Sequence, residues 1–337
     1  MNNLCGARTP EERRAWLKQA QGYPLALKVE LTKARIREWY EAFDGNVYVA
    51  YSGGKDSEVM MDLVWAMYPD VPAVFANTGN EKISVLDNVK RHGDKITWVK
   101  PKYSFAEIVA KYGYPVISKE QSGFIHELKQ TKSESLARTR WLGNKYGRGK
   151  ISEKWKYVFL KAPFKTTHNC CKHLKINPTA VYCKETGRKA YVGTMAAESD
   201  LREQSYLRFG CNAFDKGDSD SRPIMFWTEQ DVLQYIVENE LPIAGAYGKI
   251  KETPTGLKCS GDQRTGCKFC LFGIHLEKGE NRIQRLARIE PESYRYAIEE
   301  LGYDKVMDFL GVDWEPYKFE IQKDMFEEKY DVDVNEL

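Results

Sequence analysis

The stretch Tyr51-Ser52-Gly53-Gly54-Lys55-Asp56-Ser57 decides the fold predicted for this chain. The alternating apolar run 46–50 before it is typical of a buried strand, and residues 58–65 after it have the period of a helix. The stretch is therefore predicted to be a strand-to-helix turn. Its two glycines allow a tight turn and a close approach of a ligand to the backbone. Because the first turn of a helix carries unpaired N–H groups and favours an anion, the turn is predicted to bind phosphate.

Side chains of this turn add to the predicted phosphate site. Ser52 and Ser57 supply hydroxyl donors, and Lys55 supplies a cation. The turn is not a Walker A loop, which needs four residues between Gly and Gly-Lys and then Ser or Thr, because Asp56 follows Lys55 here. It resembles instead the PP-loop of the N-type ATP pyrophosphatases and sulfonucleotide reductases. The resemblance implies that the pyrophosphate of ATP, or the corresponding groups of a sulfonucleotide, is held by Ser52, Gly53, Gly54, Lys55, Asp56 and Ser57.

Strands and helices alternate through much of the chain. Residues 71–76, 96–100 and 189–194 are predicted strands, and a helix is predicted over 81–92. This alternation predicts an α/β fold, a parallel twisted sheet with helices on both faces. Ligands of such sheets bind at the carboxyl ends of the strands, where the PP-loop falls. The resemblance implies a HUP-type domain (adenine nucleotide α-hydrolase-like), followed by a cysteine-rich helical C-terminal region.

A chain of 337 residues is long for a single domain. We predict N-terminal helices over 1–44, a PP-loop nucleotide-binding α/β domain over 45–245, and a C-terminal region with Cys-x-x-Cys and helices over 246–337. Inside the second of these, one long helix is predicted over 119–142 and a short strand over 222–226.

Composition and charge restrict the classes of partner. No apolar run approaches the ~20 residues that span a bilayer, and no signal peptide is recognised, so a cytoplasmic protein without a membrane partner is expected. Between Lys119 and Lys175 there are 14 Lys or Arg residues and 4 Asp or Glu residues, interleaved with aromatic residues. Such a stretch suits a nucleic acid through phosphate contacts and stacking. The alternative is a solvated helix and a loop over a nucleotide site.

The cysteines form two local pairs, Cys170-Cys171 and Cys267-x-x-Cys270. In a cytosolic protein such clusters favour a metal or catalysis over disulfides. Four thiolates can hold zinc or an iron–sulfur cluster. Zinc sites usually take both pairs as C-x₂₋₄-C, so the directly adjacent pair favours a [4Fe–4S] cluster, with zinc and unliganded thiols as alternatives.

A Cys-Cys pair followed much later by Cys-x-x-Cys looks like the cluster motif of adenylylsulfate reductases, which share the PP-loop fold. Gly193 before a polar loop, Arg222-Pro223-Ile224 and Arg264-Thr265-Gly266-Cys267 are similar to the family too. The chain is therefore identified as a member of the iron–sulfur branch of the phosphoadenosine phosphosulfate (PAPS) reductase and adenylylsulfate reductase-like family. The resemblance implies that the cluster ligands are Cys170, Cys171, Cys267 and Cys270.

The resemblance also implies roles around the nucleotide. Lys55 would stabilise charge on the departing pyrophosphate, and Asp56 would hold Mg²⁺ or the loop. Asn77-Thr78-Gly79 resembles the adenosine-contacting Asp-Thr-Gly of the family, with Asn in place of Asp. The remaining residues expected to face the nucleotide or the acceptor are Lys119, Gly193, Glu198 and Arg202. For the charged ones, a surface ion pair is the alternative.

The cysteine positions bear on the reaction. Sulfonucleotide reductases form a thiosulfonate on a cysteine near the C-terminus, but this chain has no cysteine after Cys270. The rest of the family makes an adenylate from ATP, releases pyrophosphate and lets a sulfur donor displace AMP. We therefore expect an ATP-dependent sulfurtransferase acting on tRNA or DNA, with a sulfur donor such as a cysteine desulfurase and a homodimer as further expectations.

Two other functions stay open at this point. One is an adenylylsulfate or PAPS reductase that releases sulfite through another cysteine, for which Cys259 in the Gly-rich loop is the first candidate. The other is a non-catalytic partner subunit that binds a nucleotide and a cluster. An intact PP-loop with both Lys55 and Asp56 argues against the second of these.

Overall fold

A computed structural model of the chain describes residues 9–214 and 219–317. The described residues group into two compact units, each formed by two stretches of chain. The first unit takes 9–111 and 169–267, apart from the gap, and the second takes 112–168 and 268–317. The predicted regions, divided at residues 44/45 and 245/246, are each one continuous stretch of chain. That division stays a prediction.

The elements of regular structure alternate as an α/β fold requires. The helices are α1 (Pro10–Gln21), α2 (Leu25–Ala42), α3 (Lys55–Trp65), α4 (Ile83–Lys90), α5 (Phe105–Tyr112), α6 (Lys119–Gln130), α7 (Glu134–Leu142), α8 (Lys156–Lys161), α9 (Asn177–Thr186), α10 (Asp200–Phe209), α11 (Glu229–Glu238), α12 (Arg282–Ile289), α13 (Pro291–Arg295) and α14 (Tyr303–Leu310). The strands are β1 (Val47–Tyr51), β2 (Ala73–Ala76), β3 (Ile96–Val99), β4 (Val116–Ile117), β5 (Lys189–Val192), β6 (Asp220–Ser221), β7 (Ile250–Thr253), β8 (Gly256–Cys259) and β9 (Leu271–Phe272).

A five-stranded parallel sheet organises the first unit, in the order β3-β2-β1-β5-β6. Strand β1 lies at its centre, with Val49 opposite Ala73 of β2 on one side and Tyr191 of β5 on the other. The chain moves outward from β1 to β3 and then returns to the opposite side of β1. This arrangement confirms the predicted α/β fold. It also places the turns after β1 and β5 at the point where ligands of such sheets bind.

Apolar burial explains why these segments form the core. Val47 and Val49 of β1 have no exposed surface, and Val59 and Met60 on α3 are equally buried. Helix α3 packs on β1 and β5, while α9 packs on β2 and β3. Removing this apolar surface from water is the main favourable contribution to folding.

An ion pair in the interior joins two helices that are distant in sequence. The ammonium of Lys28 on α2 lies 2.6 Å from a carboxylate oxygen of Asp231 on α11 and donates to the carbonyl of Gln21 at 2.8 Å. The same carboxylate caps the start of α11, because it accepts hydrogen bonds from the amide and hydroxyl of Thr228. Both charges are therefore compensated although Lys28 is only 1% exposed.

Two predicted elements are wrong, for local reasons. The helix predicted over 119–142 is divided into α6 and α7, because Thr131 is extended and the Ser133 hydroxyl caps α7 by accepting from the amide of Leu136 at 3.3 Å. The strand predicted over 222–226 is a turn that follows β6, closed by a 3.1 Å hydrogen bond from the amide of Met225 to the carbonyl of Arg222.

The second unit is mainly helical. Its strands β4 and β9 form a parallel pair with Val116 opposite Leu271, and its core includes Ile125, Val158 and Ile283. The predicted helices of the C-terminal region correspond to α12–α14, whereas the antiparallel hairpin β7–β8 of the first unit was not predicted. Among the described residues, no helix is both long enough and apolar enough to cross a membrane.

The Lys28–Asp231 pair yields a test of the fold. Lys28→Met leaves the Asp231 carboxylate buried without its cation, so we expect the free energy of unfolding to fall by about 3 kcal/mol in urea titrations. Lys33→Met is the matched control, because Lys33 pairs at 2.8 Å with the exposed Glu30 on the same helix, and it should cost less than ~0.5 kcal/mol. Equal losses in the free energy of unfolding for the two substitutions would show that the buried ion pair does not stabilise the fold.

Candidate nucleotide site

The PP-loop has the geometry that its glycines predict. Gly53 has a φ of +71°, and a Cβ placed there would lie 2.7 Å from Val85 Cγ1 and 2.9 Å from Val89 Cγ2 of α4. Gly54 is the N-cap residue of α3. The turn thus requires glycine at position 53 both for its backbone conformation and for its packing against α4.

The two serines brace the turn from inside. The Ser57 hydroxyl donates to the carbonyl of Gly54 at 2.8 Å and accepts from the amide of Ser52 at 3.2 Å. The hydroxyl oxygens of Ser52 and Ser57 lie 2.9 Å apart. These contacts hold the backbone of the predicted phosphate-binding turn in one conformation.

Gly193, at the end of β5, lies directly against the start of α3. A Cβ at position 193 would be 2.7 Å from the carbonyl oxygen of Asp56 and 3.0 Å from the Cα of Ser57. Backbone atoms cannot swing aside as a flexible side chain can. Glycine is therefore required here for close approach, and the predicted residue Gly193 is placed beside the PP-loop.

Lys55 is a buried cation with carboxylate neighbours. Its side-chain nitrogen lies 3.3 Å from an oxygen of Glu229 and 3.7 Å from Asp56 Oδ1. Burial acts to lower the pKa of Lys55, but the interactions with Asp56, Tyr247 and Glu229 outweigh it, and the pKa is raised. The ammonium therefore keeps its charge at neutral pH. Glu229 was predicted only as the first residue of a helix, since nothing near it in sequence indicates Lys55.

Asp56 lies within a group of charges. Burial raises the pKa of its carboxyl, as do Glu198 and Glu229, while Lys55 and Arg202 lower it, and the net shift is upward. Asp56 Oδ1 is buried and accepts no hydrogen bond from the described residues. Glu198 forms an ion pair with Arg202 and accepts from the amide of Met195 at 2.9 Å. The structure therefore brings together the predicted catalytic residues Lys55, Asp56, Glu198 and Arg202.

The loop after β2 is held by an acid that the sequence did not single out. The amide and hydroxyl of Thr78 donate to the two carboxylate oxygens of Glu81, at 3.0 and 2.7 Å. The amide of Gly79 donates to Asn77 Oδ1 at 3.2 Å. Because β2 is the neighbour of β1, the predicted adenosine loop leaves the same edge of the sheet as the PP-loop.

Lys175 links the cysteines to this loop. Its ammonium lies 3.9 Å from Glu81 Oε1. Burial acts to lower its pKa, but the interactions with Cys267, Glu81 and Cys171 outweigh it, and the pKa is raised. Cys171 and Cys267, far apart in sequence, therefore both act on the pKa of one lysine. Lys175 follows Cys171 by four residues, one helical turn, which is the signal that could have predicted it.

The other predicted site residues are divided between the two units. Cys170 is buried in the first unit, whereas Cys270 and the exposed Lys119, the first residue of α6, belong to the second unit. In residues 9–214 and 219–317, no three or more His, Cys, Asp or Glu side chains are arranged to hold a metal ion. Cysteine side chains are the usual ligands of iron–sulfur clusters, so the residue types fit the predicted cluster. The [4Fe–4S] assignment itself stays a prediction.

Cys259 lies close to the PP-loop, but its environment makes it a poor nucleophile. It is 5% exposed. Burial raises the pKa of its thiol, with Glu229 and Asp56 acting in the same direction and Lys55 against them. Thiols with a raised pKa are largely protonated at neutral pH and react slowly. The spare cysteine Cys5 lies outside the described residues.

Sequence comparison decides the family. A profile of the phosphoadenosine phosphosulfate reductase domain matches residues 46–142 and 144–250. The chain belongs to this family. The match covers the PP-loop, the predicted adenosine loop and Gly193. It is a family of sulfonucleotide reductase type, whose substrates are adenine sulfonucleotides.

Individual relatives of this PAPS reductase-family chain are distant. An uncharacterised protein of Methanocaldococcus jannaschii is 25% identical over 74% of this chain, and the match spans 41% of that protein. Adenosine 5′-phosphosulfate reductases of Staphylococcus haemolyticus and Lysinibacillus sphaericus are 25% and 24% identical, over 61% and 70% of this chain and 68% and 77% of theirs. The crystal structure of a PAPS reductase from Candida auris has a TM-score of 0.37 and 15% identity, covering 71% of this chain and 91% of that one.

The close approach of Gly193 to α3 can be tested directly. Gly193→Ala places a methyl group against the backbone of Asp56, so we expect it to lower the free energy of unfolding by about 1–3 kcal/mol, the usual cost of overpacking. Gly22→Ala is the control, because the nearest atom to its added Cβ is the carbonyl oxygen of Gln19 at 3.5 Å, an ordinary contact. If Gly193→Ala unfolds in urea like the wild type, the end of β5 can move away from α3 without loss of stability.

Proposed function

We propose that this protein is an ATP-dependent enzyme that adenylates an acceptor on a nucleic acid, releases pyrophosphate and supports sulfur transfer to that acceptor. The observation that carries the proposal is Lys55. It is a buried ammonium at the N-terminus of a helix, with the carboxylates of Asp56 and Glu229 within 4 Å. A helix N-terminus with an added cation favours the phosphates of a nucleotide.

The carboxylates support a role for Mg²⁺ bound together with the nucleotide. Mg²⁺ is usually held by one or two carboxylates and by the substrate phosphates, and it keeps several waters. Asp56 and Glu229 are the candidates, because both lie beside Lys55. The oxygen of Asp56 that accepts no hydrogen bond from the described residues is the atom that such an ion would satisfy.

The proposed chemistry needs two displacements. An oxygen of the acceptor attacks the α-phosphorus of ATP, the bond to the bridging oxygen breaks, and pyrophosphate leaves with the electron pair. Lys55 stabilises the charge that develops on pyrophosphate. A sulfur nucleophile then attacks the activated carbon of the acceptor, and AMP leaves with its oxygen.

The second unit supports a nucleic-acid acceptor. Three basic side chains lie over aromatic rings: Lys156 over Trp141 at 4.4 Å from the ring centre, Arg140 over Phe124 at 4.3 Å, and Lys145 over Tyr146 at 5.0 Å. The Tyr146 ring is 71% exposed. Exposed rings stack on bases and cations contact phosphates, which together favour single-stranded or distorted nucleic acid.

Reductive release of sulfite is the second candidate. It is favoured by the names of the two bacterial relatives and by the packing of Cys259 in one cluster with Tyr247, whose hydroxyl contacts Lys55. The buried, protonated state of the Cys259 thiol disfavours it, because the nucleophile must be a thiolate.

A paired assay on anaerobically purified protein tests the proposal. With ATP, Mg²⁺ and bulk tRNA or DNA, we expect pyrophosphate release that depends on the nucleic acid. Lys55→Ala should reduce it about 100-fold, since it removes a preorganised charge at the departing group. Lys33→Met is the control, because Lys33 pairs with the exposed Glu30 on α2, and it should retain full activity.

The second arm of this assay uses adenylylsulfate or its 3′-phosphate with a thiol reductant. Sulfite that disappears in Cys259→Ser would replace the proposal with a reductase. Neither product, with nucleotide still bound, would favour the non-catalytic partner subunit.

The [4Fe–4S] cluster is a separate proposal, supported by the pairs Cys170-Cys171 and Cys267-x-x-Cys270 and by the shared effect of Cys171 and Cys267 on the pKa of Lys175. When bound, a cluster supplies iron that can coordinate sulfur. We expect Cys171→Ser to remove the brown colour and the bound iron of anaerobic protein. Cys183→Ser is the control and should retain both, because the Cys183 thiol lies 3.2 Å from the hydroxyl of Tyr48 and is not a predicted cluster ligand. Zinc found in stoichiometric amount in the wild type would contradict the cluster.

A further inference from the structure

Tyr247 occupies the acceptor position at the N-terminus of α3. Its hydroxyl oxygen accepts the hydrogen bond of the Lys55 amide at 3.1 Å. The side chain is only 2% exposed and packs among Val85, Leu233 and Cys259. An N–H group at a helix start is one of the donors that a bound phosphate would use. In this structure a tyrosine hydroxyl uses it.

The same segment of chain engages the other donor of Lys55. The ammonium donates to the carbonyl of Gln263 at 3.2 Å, and the hydroxyl of Thr265 lies 3.0 Å from that of Tyr247. A Cβ on Gly54 would be 3.1 Å from the Tyr247 hydroxyl and 3.2 Å from that of Thr265. The hydroxyls of Tyr247 and Thr265 therefore lie close over Gly54.

Contacts outside the PP-loop fasten this segment. Lys82, just before α4, forms a partly buried ion pair with Asp262. The amide of Ala246 donates to the hydroxyl of Ser84 at 3.1 Å. The segment is therefore held on α4 by interactions that make no contact with the phosphate-binding atoms, so fastening and ligand binding can be changed separately by mutation.

We propose that residues 244–265 form a gate whose Tyr247 hydroxyl stands in for an anion oxygen, so that a pyrophosphate group reaches the PP-loop only after Tyr247 has left. The inference rests on the proposed phosphate binding at Lys55. The gate adds that the closed state of residues 244–265 weakens the binding of pyrophosphate. When only a fraction of molecules is open, the apparent dissociation constant equals the intrinsic constant divided by that fraction.

The gate depends on a neutral acceptor. Burial raises the pKa of Tyr247, although its hydrogen bonds with Thr265 and Lys55 and the charge of Lys55 act in the opposite direction. The hydroxyl is thus uncharged at neutral pH and accepts more weakly than a phosphate oxygen. An anion can therefore displace it.

Two substitutions should open the gate, each in its own way. Tyr247→Phe leaves the Lys55 amide without its acceptor in the closed state, and Lys82→Met removes the fastening ion pair. We expect Tyr247→Phe to bind inorganic pyrophosphate about 2- to 10-fold more tightly than the wild type in calorimetric titrations, the value of one hydrogen bond. Lys82→Met should also bind more tightly, and its Lys55 amide should exchange hydrogen faster. Lys33→Met should behave like the wild type.

The direction in which Tyr247→Phe changes the affinity for pyrophosphate decides whether the Tyr247 hydroxyl blocks the phosphate or binds it. Weaker binding by Tyr247→Phe would make the hydroxyl a phosphate ligand and overturn the gate. Unchanged binding and exchange in Lys82→Met, repeated with Asp262→Asn in case one variant is poorly folded, would overturn the fastening. Loss of binding in Lys55→Ala tests the PP-loop itself. Pyrophosphate binding by Tyr247→Phe and not by the wild type would support the gate. If no variant binds pyrophosphate, both the gate and the phosphate site at Lys55 are overturned.

Discussion

The donors at the N-terminus of α3 are the constraint on which the site depends. A helix start leaves amide groups without intrahelical acceptors, and the interior of a protein offers them few substitutes. Here the turn that precedes α3 is held by Ser52 and Ser57, and the amide of Lys55 finds the hydroxyl of Tyr247. These contacts satisfy donors of the helix start within the protein itself. A ligand must therefore compete with the protein's own groups.

Beneath the PP-loop, a polar network fixes the direction of α3. Glu58, one turn into the helix, accepts from the hydroxyl of Tyr51 on β1 at 2.5 Å and from the side chain of Asn88 on α4 at 2.8 Å. His92 lies 2.9 Å from its other oxygen. Burial is the largest of the factors that raise the pKa of Tyr51, so the phenol stays a donor to this carboxylate. Strand, helix and neighbouring helix are thus bound at one buried acid, and the turn between them has little freedom.

The sequence predicted what is local and missed what is distant. The strand, the turn and α3 could be predicted because glycine conformation, capping and apolar period act over a few residues. The parallel sheet followed from the alternation of elements. Tyr247, by contrast, meets Lys55 across 192 residues of chain, and no local pattern marks it. The division of the helix predicted over 119–142 depends on one capping hydroxyl, that of Ser133, whose effect competes closely with helix propensity.

The cysteines and the nucleotide loop are mechanically connected within the first unit. Glu81 receives both donors of Thr78 with its two carboxylate oxygens, and one of these oxygens also faces the ammonium of Lys175. Cys267 and Cys171 in turn raise the pKa of Lys175 together with Glu81. A change in charge at the thiols alters how strongly Lys175 holds Glu81, because one cation is shared between them. Because Glu81 holds Thr78 and also faces Lys175, the loop after β2 and the cysteine region are joined through one lysine.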